Sequence, residues 1–498
     1  MTNIKLKNMT FAYPGQDNLF SDVTMTLDAS WHLGLLGRNG RGKTTFLQII
    51  QGHLPVQGQV QTDLLLEYFP YTIADPEQLT LYALQAVTDF EEWQLRRELN
   101  LMDCNPEIIW QPFATLSGGE QTKVLLAACF CHTERFILLD EPTNHLDMAT
   151  RHQIAAYLRR KKQGYIITSH DRAFLDEVVN HVLVIEAQNI TLMQGNYSTY
   201  RQQKDRRDQF NQEKNDRIKQ NIQRLRETAR QKGQWASQAE GKKKKQAYDG
   251  RGDLDKGFLG AKAARIMKRA TTMQRRITNE IEAQSGLLAN IETVVPLTLN
   301  YQEPRAEQVL QARDLTVMTA ENNALFKPVT FTLNREHQLA LVGANGSGKT
   351  RLVHQIVTAL AAGRPTANLQ FVSQLRYNYF QQLTRLPDQD LTTFAAAQGV
   401  ARDTFFNLLR KLGFSREALT QKLQTLSAGQ QRKVALALSL AQPANIYFWD
   451  EPFNYLDTYN QDQLVDLIKT VRPTMLLVEH DQRLLEQLQV PTIEIEKE

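Results

Sequence analysis

Four short motifs occur twice in this chain of 498 residues, in the same order each time. GRNGRGKTT (37–45) returns as GANGSGKTR (343–351), and LSGGEQTKVLLA (116–127) as LSAGQQRKVALA (426–437). ILLDEPTNHLD (137–147) returns as IYFWDEPFNYLD (446–457), and ITSHD (167–171) as LVEHD (477–481). Ser117 and Ser427, Glu141 and Glu451, and His170 and His480 each stand 310 residues apart, while Lys43 and Lys349 are separated by 306. Repetition in register means two copies of one fold. Within each copy, short apolar runs such as Phe136 to Leu139 and Tyr165 to Thr168 alternate with helical patterns. Such runs predict strands of a buried, largely parallel sheet, hence two tandem α/β domains. The expected boundaries are 1–199 and 296–498, with 200–295 joining them.

The hydrophobic content of 42% suits globular material, and the length exceeds what one core supports. No apolar stretch is long enough to cross a bilayer and the N-terminus has no secretory core, so the expected location is the cytoplasm, without membrane association. Cys104, Cys129 and Cys131 are too few for a disulfide framework and lack the partners of a zinc site, which predicts buried thiols.

Charge is unevenly distributed. Residues 201–290 hold 23 Lys and Arg against 11 Asp and Glu, a net +12 in a chain whose total is +4. A polyanion partner and a solvated helical face account for this equally well on charge alone. From Tyr200 to about Trp235 the pattern is one charged helix, and a second apolar stripe runs through Leu259, Ile266, Met273 and Ile281. Two narrow stripes suit a long antiparallel helical hairpin, about 50 Å in reach. The segment 241–257 has no period and reads as the turn, within a tip of about 238–259. Lys242, Lys243, Lys244, Lys245, Arg251 and Lys256 suit phosphates, and Tyr248 and Phe258 suit stacking on bases. Phe258 and Leu259 equally suit a cap on the hairpin core.

Gly37, Arg38, Asn39, Gly40, Arg41, Gly42, Lys43, Thr44 and Thr45 form one phosphate-binding loop. Gly343, Ala344, Asn345, Gly346, Ser347, Gly348, Lys349, Thr350 and Arg351 form the other. The glycines let backbone amides converge on ATP phosphates, the lysine reaches the outer oxygens, and Thr44 or Thr350 suits Mg²⁺. Asp140 and Asp450 end apolar strands, where a carboxylate helps hold Mg²⁺. Glu141 and Glu451 are placed to activate the attacking water.

With these loops, LSGGE and LSAGQ, the chain resembles the ATP-binding cassette (ABC) family. The resemblance implies head-to-tail pairing of the cassettes inside one monomer. The first loop would then share ATP with Ser427, Ala428, Gly429 and Gln430, and the second with Ser117, Gly118, Gly119 and Glu120. It also implies that His170 and His480, each 29 residues beyond its glutamate, contact the γ-phosphate. Tyr13 fits the adenine-stacking aromatic, for which the second half offers Thr319. Gln374 fits the family's Mg²⁺-ligating glutamine, and Tyr71 stands at that place in the first half. Ala428, Arg351 and Phe453 also depart from the pattern, so the two sites are expected to differ in turnover.

Two fused cassettes joined by a basic hairpin, with DEPTNHLD, SHDRAFLDEV and QGNYSTY in the first half, resemble the ABC-F subfamily. RLRETARQKGQW, GAKAARIMKR and WDEPFNYLD resemble its antibiotic-resistance branch, and the segment Thr72 to Gln111 is short. The resemblance implies binding at the tRNA exit site of the bacterial 70S ribosome. The hairpin would then meet 23S rRNA and peptidyl-site tRNA, release lincosamides, streptogramin A and pleuromutilins, and leave on hydrolysis. A housekeeping translation factor is the alternative expectation, and an exporter's ATPase subunit a more distant one.

Overall fold

A computed structural model describes residues 3–15, 17–143, 146–248, 268, 272–273, 275–281, 295–318, 323–344, 346–381 and 387–496, without the side chains of 232–248 and 482. Met1–Tyr200 and Val294–Glu498 form one compact unit, and Arg201–Thr293 a second.

The first copy contains β1 (Asn3–Phe11), β2 (Phe20–Asp28), β3 (His32–Leu36), α1 (Lys43–Ile50), β4 (Gln57–Gln61), β5 (Leu66–Phe69), α2 (Thr80–Gln85) and α3 (Glu92–Leu101). It continues with α4 (Gly118–Cys129), β6 (Phe136–Asp140), α5 (Met148–Arg159), β7 (Tyr165–Thr168), α6 (Arg172–Val178), β8 (His181–Glu186) and β9 (Asn189–Gln194). Helix α7 (Tyr197–Tyr248) follows. The second copy contains β10 (Gln308–Leu315), β11 (Val329–Asn334), β12 (Gln338–Val342), α8 (Lys349–Ala362), β13 (Leu369–Phe371) and β14 (Tyr377–Phe380). After these come α9 (Leu391–Ala397), α10 (Arg402–Lys411), α11 (Ala428–Ala441), β15 (Ile446–Asp450), α12 (Thr458–Val471), β16 (Met475–Val478), α13 (Gln482–Leu488) and β17 (Thr492–Glu494).

The central sheets run β5-β6-β7-β3-β8-β9 and β14-β15-β16-β12-β17, parallel throughout except for β9. Each copy adds a three-stranded antiparallel sheet, β2-β1-β4 and β11-β10-β13. Uninterrupted apolar runs make the central strands because both faces are buried. On β6, Phe136 and Leu138 enter one core while Ile137 and Leu139 enter the other. On β15, Ile446 and Phe448 alternate in the same way with Tyr447 and Trp449. Glu98, buried in α3, accepts from Tyr157 Oη at 2.6 Å and pairs with Lys161, which ties α3 to α5. The three cysteines are free and buried.

Helix α7 corrects the expected turn. It is continuous for 52 residues, about 78 Å at 1.5 Å per residue, so the segment from Gly241 to Tyr248, including Lys242 to Lys245, is helical. Lysine, glutamine and alanine favour helix strongly enough to carry the backbone through that glycine. Arg251, Lys256, Phe258 and Leu259 lie outside the described residues. Residues 275–281 are helical, and Ile222 and Ile277 are buried.

Trp449 is fully buried and its Nε1 donates to Ser439 Oγ at 2.9 Å. Replacing it with alanine is expected to cost about 3–5 kcal/mol, seen as a lower urea midpoint by circular dichroism.

Candidate nucleotide sites between the two halves

Parallel strands deliver their C-terminal ends to one edge of each sheet, and the candidate residues gather there. Between β3 and α1 the loop turns through Gly40 and Gly42, at φ 79° and 91°. Gly348 matches Gly42 at φ 100°, and the left-handed backbone at both places favours glycine, with a Cβ there standing 2.6 Å from Leu19 Cδ2 or 2.5 Å from Leu325 Cδ2. Lys43 Nζ donates to Gly37 O at 2.9 Å and to Asn39 Oδ1 at 3.1 Å. Lys349 Nζ donates to Gly343 O at 2.9 Å and Ala344 O at 2.7 Å. Each ammonium therefore spans its own loop. Tyr13 Oη and Thr45 Oγ1 are 2.9 Å apart, whereas Arg351, at the position of Thr45, is exposed. Thr319 and Asn345 lie outside the described residues.

Three hydroxyls converge on Asp140: Thr44 Oγ1 and Tyr68 Oη on Oδ2, both at 2.9 Å, and Thr168 Oγ1 on Oδ1 at 2.6 Å. Tyr68 was missed by sequence reasoning; its place on β5, paired in parallel with the strand that ends at Asp140, is what brings it within reach. Tyr71 turns the other way and packs against the helical core beside Cys129 and Glu67, where burial holds its phenol well above the ordinary range. In the second half Val478 replaces Thr168, and Asp450 Oδ1 has no hydrogen-bond partner. Burial raises the Asp450 carboxyl, against an opposing hydrogen bond from Thr350.

Gln374 does not reach this edge. It precedes β14, whose parallel pairing of Tyr377 with Ile446 and Phe380 with Trp449 places Gln374 beyond the opposite strand end. The four-residue strand alone separates it from the level of Asp450 by about 13 Å. Phe380 and Phe69 are the register equivalents, so in sequence Gln382 is the match for Tyr71. Gln382 lies outside the described residues.

Glu141 and Glu451 follow their strands at φ 52° and 50°. The turn is held by Glu141 N donating to Thr168 O, and by Glu451 N donating to Val478 O. His170 Nε2 lies 3.2 Å from Glu141 Oε1, and His480 Nε2 3.3 Å from Glu451 Oε1. Burial pushes the Glu141 carboxyl up to about 7 although Lys43 opposes it, and burial with Lys43 brings His170 down to about 3. At Glu451 burial also favours the neutral acid, but His480, Arg432 and Lys349 together outweigh it and the carboxyl lies below its ordinary value. Arg432 is a second residue that sequence reasoning missed. Buried under the strand end, it donates from Nη2 to the carbonyls of Asp450 at 2.8 Å and Glu451 at 2.6 Å.

Ser117 and Ser427 cap α4 and α11, each in a reciprocal capping box with Glu120 or Gln430. Nothing lies within 4 Å of a Cβ added to Gly118, so Ala428 at the matching position fits without displacement. Gly119 faces the Thr150 side chain, and Gly429 the carbonyl of Tyr455.

The halves meet directly at the first loop. Asn39 N donates to Asp457 Oδ2 at 2.8 Å, Asn39 Nδ2 to Tyr455 O at 3.2 Å, and the Arg38 guanidinium lies 3.8 Å from the centre of the Tyr459 ring. Arg172 donates to Thr458 O and Asp462 Oδ1, both at 2.7 Å, and Arg483 to Asp176 Oδ2 at 2.7 Å. A polar cavity between the halves is lined by Glu141, His170, Tyr455 and Glu479.

Paired phosphate loops, strand-end carboxylates and capped signature helices define a two-cassette nucleotide-binding protein. The ABC transporter family model matches residues 20–144 and again 326–454, and the chain belongs to that family. Its ABC ATPase domains imply ATP hydrolysis, and such domains generally bind ATP with Mg²⁺. Ribosome protection protein VmlR of Bacillus subtilis is 27% identical over 97% of this chain and 85% of its own. ABC transporter F family member 5 of Arabidopsis thaliana is 25% identical over 99% of this chain and 75% of its own. A model of ribosome-bound archaeal Pelota and ABCE1 shares the fold, with a TM-score of 0.61 at 17% identity over 99% of this chain and 76% of that one. The resemblance to ABC-F proteins thus extends over the whole length. Among the described residues no helix is long and apolar enough to cross a membrane.

Arg172 is buried, and its loss removes two donations that cross between the halves, to the Thr458 carbonyl and to Asp462. Arg172→Ala is expected to weaken docking of the halves by about 3–5 kcal/mol, measured as a broadened distance distribution between spin labels placed one in each half.

Proposed function

We propose that this protein is a cytoplasmic ABC-F ATPase that protects the bacterial ribosome against drugs of the peptidyl transferase centre, namely lincosamides, streptogramin A and pleuromutilins. The observation that carries the reading is the likeness to a ribosome protection protein over 97% of the chain, hairpin segment included. The net +12 of residues 201–290 supports contact with rRNA and peptidyl-site tRNA, because neutralising phosphates releases counterions.

In this reading Lys43 and Lys349 leave their loop carbonyls for ATP phosphates, and the loop amides complete the cradle. Thr44 with Asp140, and Thr350 with Asp450, would hold Mg²⁺, which neutralises phosphate charge when bound. The donor set fits: hard oxygens stand side by side, and the Glu141 carboxylate oxygens are buried without hydrogen-bond partners. Glu141 and Glu451 take the proton of the attacking water, and His170 and His480 orient it. Ser117 to Glu120 and Ser427 to Gln430 complete the opposite half's site, with the amides at each helix start turned to the γ-phosphate. Tyr13 stacks on adenine. Binding closes the halves and permits docking at the tRNA exit site, and hydrolysis releases the protein.

Glu141→Gln with Glu451→Gln is expected to lower ATP turnover at least about 100-fold while preserving ATP binding. With ATP this variant should cosediment with ribosomes, and an unchanged ribosome-bound fraction would refute the coupling. Replacing Lys242, Lys243, Lys244 and Lys245 with glutamine should return cells to drug sensitivity with ATP turnover intact. Full resistance in that variant, or lowered intracellular drug in cells carrying the unaltered protein, would refute ribosome protection.

A further inference from the structure

The duplication supplies an internal control for surface features, because a face needed only for the cassette fold should look alike in both copies. The helical layer of α2, α3 and the short turn Pro106–Trp110 fails that comparison with the layer of α9 and α10. Residues 72–111 hold eight acidic and two basic residues, whereas 387–422 hold four acidic and five basic. Tyr82, Val87, Trp93, Leu101 and Trp110 are exposed large hydrophobic residues in the first layer, and among the described residues the second layer has none. Trp93 is 59% exposed and Trp110 39%, whereas Trp31, the third tryptophan of this cassette, packs against the core.

These residues are arranged. Trp93, Arg97 and Leu101 follow at intervals of four along α3 and share one side of it, with the Arg97 guanidinium 5.5 Å from the centre of the Trp93 ring. Arg96 donates to Glu92 at 2.6 Å and to Glu107 at 2.8 Å, which fastens α3 to the turn carrying Trp110. Trp110 meets Tyr82 of α2 edge to face, with ring centres 6.4 Å apart. Asp75, Glu77, Asp89, Glu91, Asp103 and Glu107 are exposed around them. Glu98 is buried and paired with Lys161, so it adds nothing to the surface field.

Exposed tryptophan and tyrosine have the composition of an interface centre rather than of free surface. The surplus of carboxylates selects the partner's charge. A phosphate backbone would be repelled, whereas lysine or arginine side chains would find carboxylates for their charges and aromatic faces for stacking. We infer that Tyr82, Trp93, Leu101 and Trp110, with the surrounding carboxylates, form a docking surface for a lysine- and arginine-rich protein segment. Nothing in this recognition requires the hairpin or the nucleotide sites, so it goes beyond the proposed ribosome protection and survives its failure.

The test is fluorescence anisotropy of a labelled oligolysine peptide titrated with the full chain at physiological salt. Trp93→Ser with Trp110→Ser, and separately Asp89→Asn with Glu91→Gln and Asp103→Asn, should each weaken binding about tenfold. Both variants should keep the circular dichroism spectrum and ATP turnover of the parent, which separates lost docking from lost folding. Absence of oligolysine binding, or binding unchanged in both variants, overturns the inference. So does an oligouridylate whose binding the aromatic variant abolishes, which would make the face a nucleic-acid site. A concentration-dependent dimer that the same variant dissolves would also overturn it, assigning the face to a second copy.

Discussion

A strand buried on both faces tolerates no charge until it ends. Along β6 and β15 every residue before Asp140 and Asp450 enters one of two cores. The first acidic groups therefore appear together at the C-terminal edge, beside the glycine loop that leaves β3 or β12. The next residue takes a left-handed backbone, φ 52° at Glu141 and 50° at Glu451, which reverses the chain so that two successive carboxylates serve one site. Such a conformation costs on the order of 1 kcal/mol for a residue with a Cβ. The amide bonds to Thr168 and Val478 on the neighbouring strands hold it in place.

The same scaffold surrounds these acids with different neighbours in the two halves, and the differences come in matched sets. Thr143 and Ser169 share a hydroxyl contact at 2.8 Å, and their counterparts are Phe453 and Glu479. An apolar ring fills the place of one hydroxyl, and the Glu479 carboxylate accepts from the amides of His480 and Asp481 in place of the other. Thr122 corresponds to Arg432, whose charge lies beneath Glu451 and whose donors fix the carbonyls of the acidic turn. Thr168 corresponds to Val478, which removes a donor from Asp450. The outcome is one site with a strongly hydrogen-bonded aspartate and a glutamate raised to about 7, and another with a raised aspartate and a lowered glutamate. Ala428, which looks like the most visible departure in sequence, is sterically neutral beside these exchanges.

The alternating α/β architecture was legible because apolar runs and glycine loops are local signals and the duplication repeats them in register. Positions fixed by contacts across the sheet were not. Gln374 was misplaced because FVSQL looks locally like a strand followed by glutamine. Only the pairing of β14 with β15 shows that the strand equivalent to β5 begins later, at an offset of 311 rather than the 303 that matching Gln374 to Tyr71 requires. Tyr68 and Arg432 carry no motif, and their meaning comes from the atoms they reach. The extent of α7 was underestimated because charge and glycine near Gly241 resemble a turn, while propensity summed over the lysine run favours helix.

Asp457 shows how contact between the halves enters the nucleotide site. It is 2% exposed, its Oδ1 caps α12 by accepting from Asn460 N at 2.9 Å, and its Oδ2 accepts from Asn39 N of the opposite glycine loop at 2.8 Å. Burial favours the neutral Asp457 acid, but Lys433 of α11, the helix that Ser427 caps, lies 3.6 Å from the same Oδ2 and with the Asn39 and Asn460 amides holds the carboxyl below its ordinary value. One buried carboxylate thus joins the loop of one half to two helices of the other. Withdrawing the loop leaves that oxygen with the lysine alone, in surroundings too dry to replace the lost donor cheaply. Displacement of the loop and separation of the halves therefore both break this contact, because the same atom loses its partner in either.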